Sequence, residues 1–227
     1  MIFEVKPNLT KTNEGKNYAE FVVEPLPGGF GLTLGHALRR VLLTSLEGFA
    51  ITSIKVVGAK HEFTAIKGIK EDMIDLVLNI KNIRVFLDSK EEVVITLEKK
   101  GAGQVTAADI KCPAGVRILN PEQYITTLAD KNTKLKIEFR IQAGKGYVSA
   151  EEQEIDGLGV IPIDGIYTPV IDADYKVEDT RVGGKTNFDK LTLMVTTTGG
   201  IQPEDAVEKA AEILREYYNF IVNQKII

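Results

Sequence analysis

One cysteine, Cys112, and two histidines, His36 and His61, are all that the 227 residues contain of those types. A lone cysteine excludes an intramolecular disulfide and fits a reducing compartment. The histidines lie far apart, and with no His-x-x-x-His or Cys-x-x-Cys spacing nothing marks a zinc-type ligand set. Cys112, beside Pro113, is expected as a small apolar filler rather than a nucleophile. No apolar run approaches the length that spans a bilayer, and the opening MIFEVKPNLT has no basic-then-apolar leader pattern. The expected location is therefore the cytoplasm, with no membrane partner. Dense positive charge is missing too. Lys and Arg number 28 against 32 Asp and Glu, a formal net charge of −4, which argues against the basic footprint that duplex DNA binding needs. Acidic residues are plentiful, but no spacing among them marks a metal-binding or acid/base pair. No catalytic residue, metal or cofactor is expected, and a binding or assembly role is the better class.

What is present is ordinary for a globular protein: 44% hydrophobic and 26% charged residues. A chain of this length buries on the order of 70% of its unfolded surface, enough for one sizeable core or two smaller ones. Strand patterns dominate. In Leu135-Lys136-Ile137-Glu138-Phe139-Arg140-Ile141-Gln142 every odd position is apolar and every even one polar, the mark of a strand with one packed and one wetted face. Similar strands are expected at 19–24, 54–57, 83–88, 93–99, 173–177 and 191–197. Glycine-rich stretches at 101–103, 144–146, 157–165, 183–184 and 199–200 are too short for free linkers, and the acidic run 151–156 reads as a solvated loop. Helices do not alternate regularly with the strands, so the class is α+β rather than a doubly wound sheet.

Three helices are expected. The first follows Gly29-Phe30-Gly31, with Thr33 as its N-cap and Gly48 as its stop. Leu34, Ala37, Leu38, Val41, Leu42 and Ser45 share one stripe, while His36, Arg39, Arg40, Leu43 and Glu47 share the other. A leucine beside twin arginines on a nominally solvent face suggests that this face meets a partner. The second covers 70–80 after Gly68, with Met73, Ile74, Val77 and Leu78 on a common side. The third, 203–223, has Pro203 in its first turn and Glu204 and Asp205 to complement the dipole. Its apolar residues, Ala206 through Ile221, cover well over half the circumference. That width fits either a helix sunk in its own core or one that also packs against another chain.

Gly29-x-Gly31-x-x-x-Gly35 before a helix could also be a phosphate-binding loop, making the chain a nucleotide-binding enzyme. Pro25 and Pro27 interrupt the approach, and the next strand, Ile54–Gly58, ends without the carboxylate of a dinucleotide fingerprint. A structural turn is the preferred reading.

Many short motifs occur together. They run from Glu24-Pro25-Leu26 and Gly29-Phe30-Gly31-x-Thr33-Leu34-Gly35-x-Ala37-Leu38-Arg39-Arg40, through His61-Glu62-Phe63, Leu78-Asn79-x-Lys81 and Val105–Ile110. Gly144-x-Gly146-Tyr147-Val148, Tyr167-x-Pro169-Val170, Arg181-Val182 and Asp189-Lys190-Leu191 follow, and Gly200-x-x-Pro203-Glu204-x-Ala206 completes the set. In this order they resemble, across essentially the whole chain, the N-terminal domain of the α subunit of bacterial-type DNA-directed RNA polymerase. An archaeal- or eukaryotic-type α-like subunit fits the ordered motifs less well.

The resemblance implies a dimerisation subdomain of residues 1–47 and 168–227, a small sheet with two long helices, and an inserted, largely β subdomain, 48–167. It implies a homodimer that serves as the platform for the β and β′ subunits, which hold the catalytic magnesium. At the β/β′ contacts it places Arg39, Arg40, Leu43, Lys81, Tyr167, Val170, Arg181, Asp189 and Lys190. At the dimer contact it places Phe30, Leu34, Leu38, Val207, Ala210, Leu214, Tyr217, Phe220 and Ile221. His36 stands where the family commonly has asparagine. Family members usually continue past the equivalent of Ile227 into a linker and a DNA- and activator-binding domain, so no promoter-DNA role is carried over.

Overall fold

Strict alternation at 135–142 produces the longest strand of the larger sheet. The protein, seen here as a computed structural model that describes residues 5–153 and 157–224, is α+β. Residues 154–156 of the acidic run lie outside the described residues. The chain opens with β1 (Asn8–Gly15), β2 (Tyr18–Pro27) and α1 (Phe30–Thr44). There follow β3 (Glu47–Val56), α2 (Met73–Lys81), β4 (Val85–Leu87), β5 (Val93–Lys100), β6 (Gly103–Thr106), β7 (Ile110–Lys111) and β8 (Val116–Ile118). Next come β9 (Tyr124–Leu128), β10 (Lys134–Lys145), β11 (Tyr147–Val148), β12 (Val160–Pro162) and β13 (Gly165–Ile166). The chain closes with β14 (Val170–Val182), β15 (Lys185–Thr197) and α3 (Pro203–Asn223). It divides into two compact units: an insert, Glu47–Tyr167, and a flanking unit made of Met1–Leu46 and Thr168–Ile227.

In the insert, β10 pairs antiparallel with β3 on one side and β5 on the other, within the order β12-β3-β10-β5-β7. Leu135, Ile137, Phe139 and Ile141 of β10 are buried, and the intervening residues face outward. Asp72 caps α2 by accepting the Asp75 N–H at 2.8 Å. This helix buries Met73, Leu76 and Ile80. The expected stripe is thus rotated: Ile74 and Leu78 are exposed, because a helix of nine residues turns only one narrow face to the sheet core. Burial would raise the Glu71 carboxyl, but bonds from Thr126 Oγ1 (2.6 Å), the Tyr124 hydroxyl and the Thr127 N–H (2.9 Å) outweigh it and hold the group below the usual range. That network pins β9 to the approach of α2. Cys112 is exposed, not a core filler, since Lys111 ends a two-residue edge strand.

In the flanking unit the sheet order is β1-β2-β15-β14, all antiparallel. Ala19, Phe21, Leu193 and Val195 of the sheet bury against Val41 and Leu42 of α1 and Ala206, Val207 and Ala210 of α3. The start of α1 lies flat on β14 and β15 because Gly31 and Gly35 have no side chain: a Cβ at Gly35 would stand 2.5 Å from Tyr175 Cδ2. Lys11 of β1 reaches Glu204 in the first turn of α3 at 2.7 Å.

Candidate subunit interfaces

The first turn of α1 begins earlier than expected. Gly29, at φ +88°, is its N-cap and Thr33 lies inside the helix, donating through Oγ1 to the Gly29 carbonyl at 3.2 Å. Capping is done instead by Asp189 of β15, whose Oδ2 accepts the N–H groups of Gly29 (2.8 Å) and Gly31 (2.9 Å). The anion position that a nucleotide phosphate would take is thereby filled by the chain's own carboxylate. The phosphate-loop reading fails on that geometry. The helix also stops sooner, at Thr44, with Ser45 as its C-cap; Glu47 and Gly48 belong to β3.

On the outer side of α1, Arg39 and Arg40 are exposed. Arg39 is anchored: Nε donates to the Ala173 carbonyl at 2.8 Å and lies 3.9 Å from Asp174. Arg40 makes no side-chain hydrogen bond or ion pair among the described residues. Leu43, expected beside them on the outer face, is half-buried against the unit's core instead. Arg181, near the tip of the β14–β15 hairpin, is exposed, and Lys190 is half-buried.

Three residues expected at a partner surface are interior. Tyr167 packs its ring between Gly144 and Gly165, so tightly that a Cβ on either would come within 2.7 Å of it. Val170 is buried in the flanking core, and Asp189 is the buried cap just described. Lys81 is half-buried: Nζ meets Asp164 Oδ2 at 2.6 Å and sits 5.8 Å from the centroid of the exposed Tyr147 ring. Asp164 in turn accepts the Ala150 N–H at 2.8 Å, and its bonds, that from Lys81 foremost, hold its carboxyl below the usual range.

The apolar breadth of α3 resolves into two halves. Ala206, Val207 and Ala210 are buried in the unit's own core, so Val207 and Ala210 are unavailable to a partner. Beyond Leu214 the helix leaves that core. Tyr217 is 68% exposed, Phe220 62% and Val222 80%, with Tyr218 and Ile221 also open. On α1, Phe30 is exposed and Leu34 and Leu38 are half-buried.

Comparison with known proteins decides the family. Residues 53–168 match the model of the RNA polymerase Rpb3/RpoA insert domain, nearly all of the insert unit. The DNA-directed RNA polymerase subunit alpha of Alkaliphilus metalliredigens is 45% identical over 222 residues, 97% of this chain and 70% of the relative. Those of Leifsonia xyli and Bifidobacterium longum are each 47% identical over 220 residues, 96% of this chain and 66% of theirs. The chain belongs to the DNA-directed RNA polymerase α-subunit family. It spans about two thirds of the length of these relatives.

In this α-subunit family member, sequence reasoning missed the partners that fix the surface residues. Asp164 and Tyr147 beside Lys81, and Ala173 beside Arg39, are far away in the chain. No local spacing could have marked them. Asp189 sits beside Lys190 in an ordinary strand of mixed polar and apolar residues, Phe188-Asp189-Lys190-Leu191-Thr192-Leu193, so nothing local marked it either.

Proposed function

We propose that this chain is a non-catalytic assembly subunit of RNA polymerase that pairs with a second copy of itself and carries the β and β′ subunits, where the nucleotidyl-transfer chemistry resides. The observation that carries the reading is the second half of α3. Five large apolar or aromatic residues, Tyr217, Tyr218, Phe220, Ile221 and Val222, stand in solvent on one helix. Contiguous exposed apolar surface of this kind marks a protein–protein contact. Phe30 on α1, which packs against α3, adds to it. The dimer contact is accordingly assigned to Phe30, Leu34, Leu38, Leu214, Tyr217, Phe220 and Ile221, without Val207 and Ala210. The flanking unit then acts as the dimerisation subdomain and the insert as an accessory one.

Arg40 is the proposed β contact. It is exposed, unpaired among the described residues and held on a rigid helix, so its guanidinium is free for a carboxylate or carbonyl of a large subunit. Arg40→Ala should fold and dimerise with stability within about 0.5 kcal/mol of wild type. In co-purification read by native mass measurement it should lose most capture of β. Wild-type capture by the variant would reduce Arg40 to a surface residue, and a monomeric wild-type chain at micromolar concentration would overturn the dimer.

A further inference from the structure

The short ladder of β4 and β8 in the insert carries a second surface that the assembly reading does not use. Val85 and Leu87 of β4 point into the core, so Phe86 points outward, and Arg84 shares its side by strand periodicity. Phe86 pairs across the ladder with Arg117, whose guanidinium carbon lies 4.5 Å from the Phe86 ring centroid. Phe86 also meets Phe49 edge-on, centroids 5.6 Å apart at 75°. The ring is thus held by two contacts, and it holds the Arg117 cation in place.

Neither guanidinium has a carboxylate partner among the described residues. Asp88, on the same strand side, forms no ion pair with either. Arg84 is only half accessible, and burial pushes its guanidinium below the usual arginine value. Arginines that lose solvent are ordinarily paired, because desolvating a cation with no counter-charge is costly. Elsewhere in the insert the rule holds: Arg140 meets Glu92 at 3.3 Å, and Lys99 meets Asp109 at 2.6 Å.

We propose that Arg84 and Arg117, braced by Phe86 and Phe49, form a docking site for an acidic segment of a partner protein. Charge complementarity selects the occupant: Arg117, held against the Phe86 ring, and the half-buried Arg84 on the same strand side are planar cations that match carboxylates bidentately. A nucleic-acid strand fits less well. Two cations on a chain of net charge −4 are too few to track a phosphate backbone. The Phe86 ring is already engaged by Arg117 and Phe49, contacts with which a stacked base would have to compete.

The test uses the whole chain and three labelled probes: a short peptide alternating glutamate and leucine, its glutamine counterpart, and a thymidine oligonucleotide of equal charge. Fluorescence anisotropy should show salt-sensitive binding of the glutamate peptide, at least about tenfold tighter than either other probe. Arg84→Gln and Arg117→Gln should each weaken it about tenfold, and Arg84→Lys by less, since lysine keeps the charge but not the fork. The melting temperature of Arg84→Gln should be unchanged or raised, as an unpaired cation has been removed. If Arg84→Gln does not fold, Arg117→Gln at its exposed strand position still decides the matter. Binding that is absent, that survives both substitutions, or that is tighter for the oligonucleotide overturns the proposal. So does a lowered melting temperature with unchanged peptide binding, which would make Arg84 a structural residue.

Discussion

The insert and the flanking unit dispose of their apolar surface in different ways. In the insert, β10 places Leu135, Ile137, Phe139 and Ile141 in the one core that also receives Met73, Leu76 and Ile80 of α2, and these four are at most 2% exposed. The flanking unit closes a smaller cluster around Leu42, Ala173, Val195 and Ala210, then sends the rest of α3 beyond it with Tyr217, Phe220 and Val222 in solvent. Both units have amphipathic elements of good pattern. The difference lies in what covers them. A sheet strand such as β10 has neighbours on two sides and a shared core to face, whereas the far half of α3 has no cover among the described residues of its own unit. The lesson is that a wide apolar helix face predicts burial but leaves open whether one chain or two provide it.

The largest expected effect tests the open side of the flanking unit. Phe220→Glu places a charge where the proposed second copy packs, at a cost of several kcal/mol to association. Sedimentation should show a folded monomer, because Phe220 makes no core contact among the described residues, and a variant that remains dimeric would break the contrast. Phe139→Ala tests the closed side. Its deletion inside the fully packed insert should cost about 3–5 kcal/mol, read as a loss of denaturation midpoint that does not vary with chain concentration.

Asp189→Ala sharpens the comparison within the flanking unit, where one side chain holds the start of α1. Removing the acceptor of the Gly29 and Gly31 N–H groups should cost about 1–2 kcal/mol by denaturant titration. Asp189→Asn, which keeps an acceptor but not the charge, should cost less. The smallest effect concerns pH in the insert. The Lys81 bond, then the Ala150 N–H, depress the folded-state pKa of Asp164. Its contribution is therefore present above the unfolded aspartate value of about 3.9 and is lost as pH falls through the lower folded value. Both side chains are about a quarter exposed, 26% and 28%, so the contribution is at most about 1 kcal/mol after screening. Asp164→Asn should flatten the acid limb of the stability curve by that amount while leaving neutral-pH folding intact.

Much of the architecture was legible from local pattern. The 135–142 alternation and the 203–223 helix appear with little or no shift in their bounds, because strand and helix periodicities are properties of neighbouring residues. The α+β class followed from the same patterns. Boundaries set by distant groups were not legible. Thr33 looked like a cap because it precedes an apolar run, but the carboxylate that performs the capping arrives from 160 residues away and lets the helix start at Phe30.

The candidate interface divides along the same line. Sequence alone placed Arg39 and Arg40 on the outer side of α1 and marked α3 as too apolar for one simple face, since both follow from 3.6-residue spacing. Only the tertiary structure decided which of those residues are free. Tyr167 and Val170 sit in recognisable motifs yet are enclosed, one by the bare backbones of Gly144 and Gly165, the other by the flanking core. Val207 and Ala210 share a helix with Phe220 but lie over the sheet, while Phe220 lies past its end. Periodicity sets the direction in which a side chain points. What stands in that direction depends on chain segments brought there by folding, and that is where the sequence stops and the packed structure decides.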